Sequence, residues 1–518
     1  MAGWKLSLTN AMSDNNKRVE DAAKNSVSLA RFFLEETPNL VLDKAALNGG
    51  LGPADFYYYE NGIYNYLGGK VFDEWIMRFL VKYNITHIWK ANRLAEIQRA
   101  MAALGMLKEL EFDTYDNLVC LKNGILNLDT WEFMPHSKDF AFRTMVDVDY
   151  NANATIEQCP EFINFLKDLF LDDDGTADQE TINNIIRIGG YLLYPQNRLE
   201  QMFLFLGEGS NGKSLLIDTF CMFFSKNNIS YLDLNTISTT SSLERERLIG
   251  SRINITTEAK SNNADSEVIK KIISSEGIEI HRKFAKAVPY KPITKLVVAS
   301  NTNPYFNDST HGLFRRIFPI TFPNRFVPQD EYDLKKGKKK RIFVAKDGQK
   351  LRKIFQKEKT AILNLFLSGL KSLRANGWRL VKSLNSLTTM EDYKDAADTA
   401  ALFLKDHYEE NEADKDGIMG ITTEEILAHY RCWYRENVSE KPLNYSSPAI
   451  GRKIRELFRV ESKRIYHTNG TRKTVFSLKP KSYVEEIAKT MGVNGAVLTG
   501  EPENEAPVYQ RKIAGIND

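Results

Sequence analysis

Cysteine is scarce in this chain. The four residues Cys120, Cys159, Cys221 and Cys432 are spread through 518 positions, with no C-x-x-C pair. That spacing argues for a reducing compartment and against a zinc site. No stretch approaches 18 uninterrupted apolar residues, so neither a transmembrane helix nor a membrane partner is expected. The first thirty residues mix Lys, Asp, Glu and Asn throughout, which is not the pattern of a signal peptide. Charge of one sign is also lacking: 70 Lys+Arg against 67 Asp+Glu leave a net +3. Any nucleic-acid surface must therefore be a local patch. Residues 1 to about 110 hold no paired-aspartate strand and no metal-ligand cluster, so no polymerase or primase site is expected there. No internal repeat is evident. The hydrophobic share of 42% and charged share of 26% are those of a soluble globular protein. At this length about three domains are expected.

What is present begins with a mixed, mostly helical amino-terminal region. It carries one hairpin signal, Asn61-Gly62 between Phe56–Tyr59 and Ile63–Leu67. A second turn, Asn123-Gly124, joins Leu118–Leu121 to Ile125–Leu128. From Cys159 the pattern becomes helical, PEFINFLKDLFL and then ETINNIIRIGGYLLY, with apolar residues at three- and four-residue spacing.

The organising stretch is Gln201–Ser214, QMFLFLGEGSNGKS. An apolar strand, Met202–Leu206, runs into a glycine-rich loop, and an apolar helical run, Leu215–Phe224, follows. Strand, loop and helix in this order are the setting of a phosphate-binding P-loop. Gly207, Gly209, Asn211 and Gly212 shape the loop so that its N–H groups face a polyphosphate. Lys213 supplies charge to the β- and γ-phosphates, and the Ser214 hydroxyl can ligate Mg²⁺. Two further strand-length runs follow, Ile249–Thr257 ending at Glu258 and Lys295–Ser300 ending at Asn301. Strands alternating with helices around the loop predict an α/β ATPase core closing near Phe326. Glu258 can orient or deprotonate the attacking water, or hold the metal; with only Thr256-Thr257 before it, the two roles stay open. Asn301 is placed to hydrogen-bond the γ-phosphate and the lytic water. Arg315 and Arg316, in HGLFRRIFPITF, are candidates for an arginine finger that completes a neighbouring subunit's site. Between Glu258 and Asn301, Arg282, Lys283 and Lys286 surround Phe284 in a short basic turn, as a single-strand backbone contact requires.

Downstream, residues 335–353 carry ten Lys/Arg against one Asp, either a solvated loop or a phosphate contact. Residues 396–480 read as three helices, the second opened by a capping box from Thr422 to Glu425, and then a hairpin around Thr468-Asn469-Gly470. That combination suggests a winged helix whose late basic residues, among them Arg452, Lys453, Arg455, Lys463, Arg464, Arg472 and Lys473, contact either DNA or a docking protein. The polar residues after about 495 read as a loose tail.

With these features in this order, the sequence resembles the superfamily 3 helicases, an AAA+ class, and most of all the primase-helicase branch of poxviruses, phages, plasmids and mobile islands. GEGSNGKS is similar to the family's Walker A motif and INITTE to its Walker B position. KKIISSEGIEIHRKFAKAVPYKP resembles motif B-prime, KLVVASNTNP motif C with its sensor Asn, and FRRIFPITF the arginine-finger segment. NGILNLDT, CPEFINFLKDLF and IIRIGGYLLYP resemble the helical domain that precedes the ATPase in that branch. The resemblance covers roughly 118–330 well, and residues 1–110 match little.

It implies an α/β multidomain protein: an AAA+ P-loop ATPase core with a helical amino-terminal region and a carboxy-terminal winged helix. The expected division is 1–115, mixed and of unassigned role; 116–199, helical; 200–330, ATPase core; 331–395, basic loop and helical lid or linker; 396–480, winged helix; and 481–518, tail. The implied activity is an ATP- and Mg²⁺-dependent DNA helicase. It would translocate 3′ to 5′ on single-stranded or forked DNA as a homohexameric ring, with Arg282, Lys283 and Lys286 in the channel. Its setting would be the cytoplasm of a bacterial host, with a primase, polymerase or initiator as replication partner. The alternative is an initiator or loader ATPase that melts or remodels DNA without processive unwinding. A small-molecule kinase is disfavoured, because it needs neither a basic hairpin nor a sensor Asn.

Overall fold

The computed structural model describes residue 19 and residues 21–43, 56–172, 174–239, 241–257, 264–281, 287–301, 311–335, 341–397, 399–411, 420–437, 445–460, 462–466 and 472–481. The chain is a mixed α/β protein that divides into two compact units, 1–393 and 394–518. All four cysteines are free thiols, with Cys120 and Cys159 buried. Among the described residues no helix is long and apolar enough to cross a membrane.

The first unit opens with a four-stranded sheet in the order Ile63–Leu67, Phe56–Glu60, Leu40–Asp43, Lys108–Leu110. Asn61 and Gly62 turn the hairpin at positive φ, 52° and 90°, as the twist of a two-residue hairpin demands. Helices Ser26–Glu36, Gly69–Lys82 and Ala91–Ala103 bury Phe33, Phe72, Ile76 and Met101 against one face. The region thus holds more strand than the single expected hairpin, including a parallel pairing of Leu40–Asp43 with Lys108–Leu110. A three-stranded sheet follows, Leu118–Leu121, Gly124–Asn127 and Phe133–Met134, so the span 116–199 is not wholly helical. Its first turn is Lys122-Asn123, one residue ahead of expectation, because Gly124 already pairs with Leu121. Arg143, beyond the second sheet, is pinned against the first. Its Nη1 lies 3.2 Å from Asp43 Oδ2 and its Nε 3.0 Å from Asp113 Oδ2, with all three side chains largely buried.

Next come α1 (Pro160–Leu169) and α2 (Gln179–Leu193). The central layer is then built from β1 (Met202–Leu206), α3 (Lys213–Cys221), β2 (Ile229–Ser230), β3 (Ile253–Thr257), α4 (Ser266–Ile273), β4 (Lys295–Ser300) and β5 (Ile317–Thr321). All five strands run parallel in the order β5-β1-β4-β3-β2. Both faces are covered, which is why β1 and β4 read as unbroken apolar runs. Phe203, Phe205, Val297, Ile255 and Ile320 point into one core, shared with α1, α2, α3 and the long helix α5 (Gly348–Ala375). Met202, Leu204, Leu296, Val298 and Ile317 point into the other, shared with α4. At the amino edge of the sheet two buried basic side chains close the end of α2. Arg252 donates to the carbonyls of Leu193 and Pro195 at 3.1 and 3.2 Å, and Lys295, whose pKa burial pushes down, donates to that of Tyr194. A guanidinium at a helix carboxyl end complements its dipole.

The second unit has its own core of Phe403, Leu404, Ile426, Tyr430, Ile450, Ile454 and Phe476. These come from helices Thr399–His407, Thr423–Asn437 and Ser447–Phe458 and from a three-stranded antiparallel sheet, Ile421–Thr422, Arg472–Phe476, Ser462–Tyr466. The second helix begins at a reciprocal cap: Glu425 N–H donates to Thr422 Oγ1 at 3.2 Å, and Thr422 N–H donates to Glu425 Oε2 at 2.9 Å. A further pair, Tyr408–Glu410 with Leu478–Pro480, closes the unit.

Candidate functional site

The carboxyl ends of the central strands finish almost level. Leu206 pairs with Ser300 on one side and Thr321 on the other, and Ala299 pairs with Thr257. In open parallel sheets this edge is where ligands bind. The glycine-rich loop crosses it from β1 to α3. Gly207 N–H donates to Ser300 O at 3.2 Å, so loop and β4 share one row of backbone bonds. Gly207 has φ +146°, and a Cβ there would lie 2.4 Å from Asn211 Nδ2 and 2.7 Å from Phe322 O. Gly212 has φ +82°, and its Cβ would lie 2.4 Å from Leu169 Cδ2 on α1. Only glycine satisfies both the backbone angle and the space. Gly212 also precedes the first residue of α3, and no side chain caps that helix. Its first-turn N–H groups are left for an anion.

Lys213 is buried at that amino end. Its ammonium donates to Asn211 Oδ1 at 3.1 Å, to Glu208 O at 3.3 Å and to Gly207 O. No carboxylate balances it among the described residues, and desolvation pushes its pKa down to about 8. Asn211 is 5% exposed, and its Nδ2 has no hydrogen-bond partner among the described residues. Ser214 is exposed at the mouth. A buried ammonium held only by neutral oxygens, an orphaned amide donor and an uncapped helix end together fit a polyphosphate, and the exposed Ser214 hydroxyl can reach a cation beside it.

Asn301 is exposed one residue beyond β4, in the same row as Gly207. Gly209 faces open space. Glu258 follows Thr257 in sequence but lies outside the described residues, as do Arg282, Lys283 and Lys286. The strands flanking those three cations, Ile278–Ile280 and Val288–Tyr290, pair antiparallel. Among the described residues no three His, Cys, Asp or Glu side chains converge on a metal position.

Arg315 and Arg316 are not brought to the loop of their own chain. Met202 N–H donates to Arg316 O at 2.7 Å, which puts both arginines at the opposite edge of the sheet. They also differ from each other. Arg316 is engaged, its Nη1 donating to Gly312 O at 2.9 Å and its Nε to Ser274 Oγ at 3.2 Å. Arg315 is exposed and has no side-chain partner among the described residues.

A clamp behind the loop had no sequence signal beyond the turn-forming Pro323-Asn324. Ser210 O accepts from Phe326 N–H at 2.7 Å, and Leu206 O accepts from Phe322 N–H at 2.7 Å. Asn324, 1% exposed, donates to Asp168 O and Leu171 O at 2.8 and 2.9 Å. Part of the basic run 335–353 belongs to the same support, and its residues 336–340 lie outside the described residues. Its Arg341, Lys346 and Arg352 are paired with Asp172, Asp168 and Asp218 at 2.7, 2.7 and 2.6 Å. Those three cations are therefore structural contacts to α1, its carboxyl end and α3.

A family profile described as "D5 N terminal like" matches residues 75–171. A second, described as a "Family of unknown function (DUF5906)", matches residues 205–316, from the end of β1 through Arg316. Among solved structures the chain is similar to "The A form apo structure of NrS-1 C terminal region-CTR", at 14% identity over 87% of this chain and 99% of that one, with a TM-score of 0.45. It is likewise similar to "The apo structure of NrS-1 C terminal region (305-718)", at 15% identity over 88% and 100%, with a TM-score of 0.46.

Proposed function

We propose that this protein is an ATP-dependent DNA helicase of the superfamily 3 type, acting in replication of a phage or mobile element. In this reading the first unit contains an AAA+ P-loop core and the second is a winged helix. The observation that carries it is the buried Lys213, without a counter-ion among the described residues, beside an uncapped α3 at the carboxyl edge of an all-parallel sheet. The D5-like match just ahead of the match containing the loop supports the same branch.

When bound, ATP supplies the hydrolysable anhydride and Mg²⁺ neutralises its charge. The chain's own groups do the rest. The N–H groups of residues 212–215 and the Asn211 Nδ2 donate to phosphate oxygens, and Lys213 exchanges its loop carbonyls for phosphate. The Ser214 hydroxyl and the Glu258 carboxylate hold the cation, or Glu258 takes the proton of the attacking water. Asn301 orients that water from the adjacent strand end. Arg315, without a side-chain partner among the described residues and far from its own loop, completes the site of the next subunit. Arg316, already bonded to Gly312 and Ser274, buttresses it. Such an arrangement requires a ring, read as a homohexamer, and Arg282, Lys283 and Lys286 on the hairpin would track one DNA strand 3′ to 5′.

The test is ATP hydrolysis with and without single-stranded DNA, and strand displacement on forked DNA. Wild type should show DNA-stimulated hydrolysis and displacement, and Lys213→Ala should lose both. Undiminished unwinding by Lys213→Ala would overturn the reading. Hydrolysis without displacement by wild type would turn it into a loader or initiator that remodels DNA.

A further inference from the structure

We infer, resting on the proposed function, that Arg245 and Tyr290 are positioning residues that transmit nucleotide state to the basic hairpin. They tie both hairpin strands, Ile278–Ile280 and Val288–Tyr290, to the segment that leads into β3. That segment opens with a tight helical turn, Leu243–Leu248, of sequence LERERL. At three residues per turn Arg245 and Leu248 share one face. Both are buried, whereas Glu244, Glu246 and Arg247 are exposed.

Arg245 is 2% exposed. Its Nη1 donates to Glu279 O on the first hairpin strand at 3.2 Å, and its Nη2 donates to Thr239 O at 2.6 Å. Its Nε has no hydrogen-bond partner among the described residues. On the second strand, Tyr290 Oη donates to Leu248 O at 3.3 Å and accepts from Gly250 N–H at 3.2 Å. Tyr290 lies opposite Ile278 and Glu279 opposite Pro289, so the two ties grip both strands at one level. That level is the root. The next pair, Ile280 with Val288, is closer along the chain to the segment that contains Arg282, Lys283 and Lys286.

The same segment also starts the strands of the hydrolysis site. Arg252 precedes β3, and its carbonyl accepts from the N–H of Lys295, the first residue of β4, at 3.0 Å. Thr294 Oγ1 donates to Ser251 O at 2.8 Å. From here β3 and β4 run to the carboxyl edge, where Glu258 and Asn301 follow them in the chain. A shift of either strand end against a γ-phosphate therefore has a bonded route to the hairpin root. A buried guanidinium bonded only to carbonyls, with one nitrogen orphaned, is a costly way merely to hold a fold, since apolar packing of similar volume often serves as well. Its place between the hairpin and the hydrolysis strands gives that cost a use.

The experiment uses the full chain and follows hydrogen–deuterium exchange across residues 278–290, with and without Mg²⁺ and a non-hydrolysable ATP analogue. In wild type the analogue should slow exchange there. That response should be lost in Tyr290→Phe, which keeps the ring and loses both hydroxyl bonds, and in Arg245→Met. Analogue affinity and basal hydrolysis should stay within about twofold of wild type. Stimulation of hydrolysis by single-stranded DNA should fall about fivefold or more, the scale of a coupling between two sites. Arg245→Lys, which keeps a donor, should restore the response. A clasp that only holds the fold predicts instead a lower melting temperature with the response intact. A response as large as wild type in both variants, analogue affinity lost along with the response, or a wild-type hairpin indifferent to bound analogue would overturn the proposal. An analogue that fails to bind wild type would sink the proposed function itself, and this coupling with it.

Discussion

Among the described residues Lys213 is an ammonium with only oxygen dipoles around it, and that sets how it titrates. Desolvation lowers its pKa to about 8, so in the free protein the charge is present below that value and lost above it. The sign for stability follows. Between about 8 and the ordinary lysine value the unfolded chain binds more protons, so this residue makes stability rise with pH in that window. A polyanion in the loop favours the charged form, and binding above pH 8 must take up a proton. Under the proposed function, ATP affinity should therefore fall roughly tenfold from pH 7.5 to pH 9, since each pH unit above the free pKa weakens binding up to tenfold. Lys213→Arg stays charged over the range and should show no such fall. Titration with a fluorescent ATP analogue at both pH values checks this, and a wild-type affinity as flat as that of the arginine variant would contradict it. The loop's glycines, lysine and serine were legible from spacing alone. That Asn211 holds the lysine with one amide atom and leaves the other unsatisfied was not, because it depends on the loop folding back on itself.

At the scale of elements, α2 and α5 meet backbone to backbone. A Cβ on Gly190 would lie 2.1 Å from Phe366 O and 2.7 Å from Leu370 N, and one on Gly369 would lie 2.5 Å from Ile186 O. In a free helix, replacing glycine by alanine gains about 0.5–1 kcal/mol. Here the helices would have to separate, and Gly190→Ala should cost a net 1–3 kcal/mol or so, as overpacked cores do. Urea unfolding followed by tryptophan fluorescence is the measure, since Trp131 and Trp378 pack against this core. A midpoint equal to or above wild type would contradict the close crossing. The sequence showed α2 as an apolar pattern and α5 only as part of a basic loop and helical lid or linker over 331–395, and it did not show their pairing, which joins segments far apart in the chain. The same limit hid other elements. β1 and β4 announced themselves as unbroken apolar runs, whereas β2 is only two residues long and β5 contains Pro319. Proline is tolerated there because β5 is an edge strand, paired with β1 alone. The two arginines before β5 looked equivalent in sequence, and what separates them is the carbonyl and hydroxyl that engage Arg316.

At the scale of the whole molecule, the position of Arg315 turns on the length of β5. Ile317 is level with Met202 at one end and Thr321 with Leu206 at the other. Arg315 precedes that strand and the glycine-rich loop follows its neighbour β1, so about 15 Å of sheet at ~3.3 Å per residue lies between them. If Arg315 serves such a loop, it must be the loop of another copy of the chain. In the proposed ring, Arg315→Ala alone should lower ATP hydrolysis by about 10³-fold or more, as loss of an arginine finger does. Lys213→Ala alone should be equally inactive. Mixing the two inactive variants before assembly is the decisive measurement. A Lys213→Ala subunit still carries Arg315, and it can complete the intact loop of an Arg315→Ala neighbour. With random assembly from equal amounts, each interface pairs an intact loop with an intact arginine in about a quarter of cases, so hydrolysis should return to roughly a quarter of wild type, given head-to-tail contacts around a closed ring. An arginine acting within its own chain predicts no recovery at any mixing ratio. Recovery that peaks at the equal mixture, with Arg316→Ala failing to substitute for Arg315→Ala, would assign the finger to Arg315 and the buttress to Arg316.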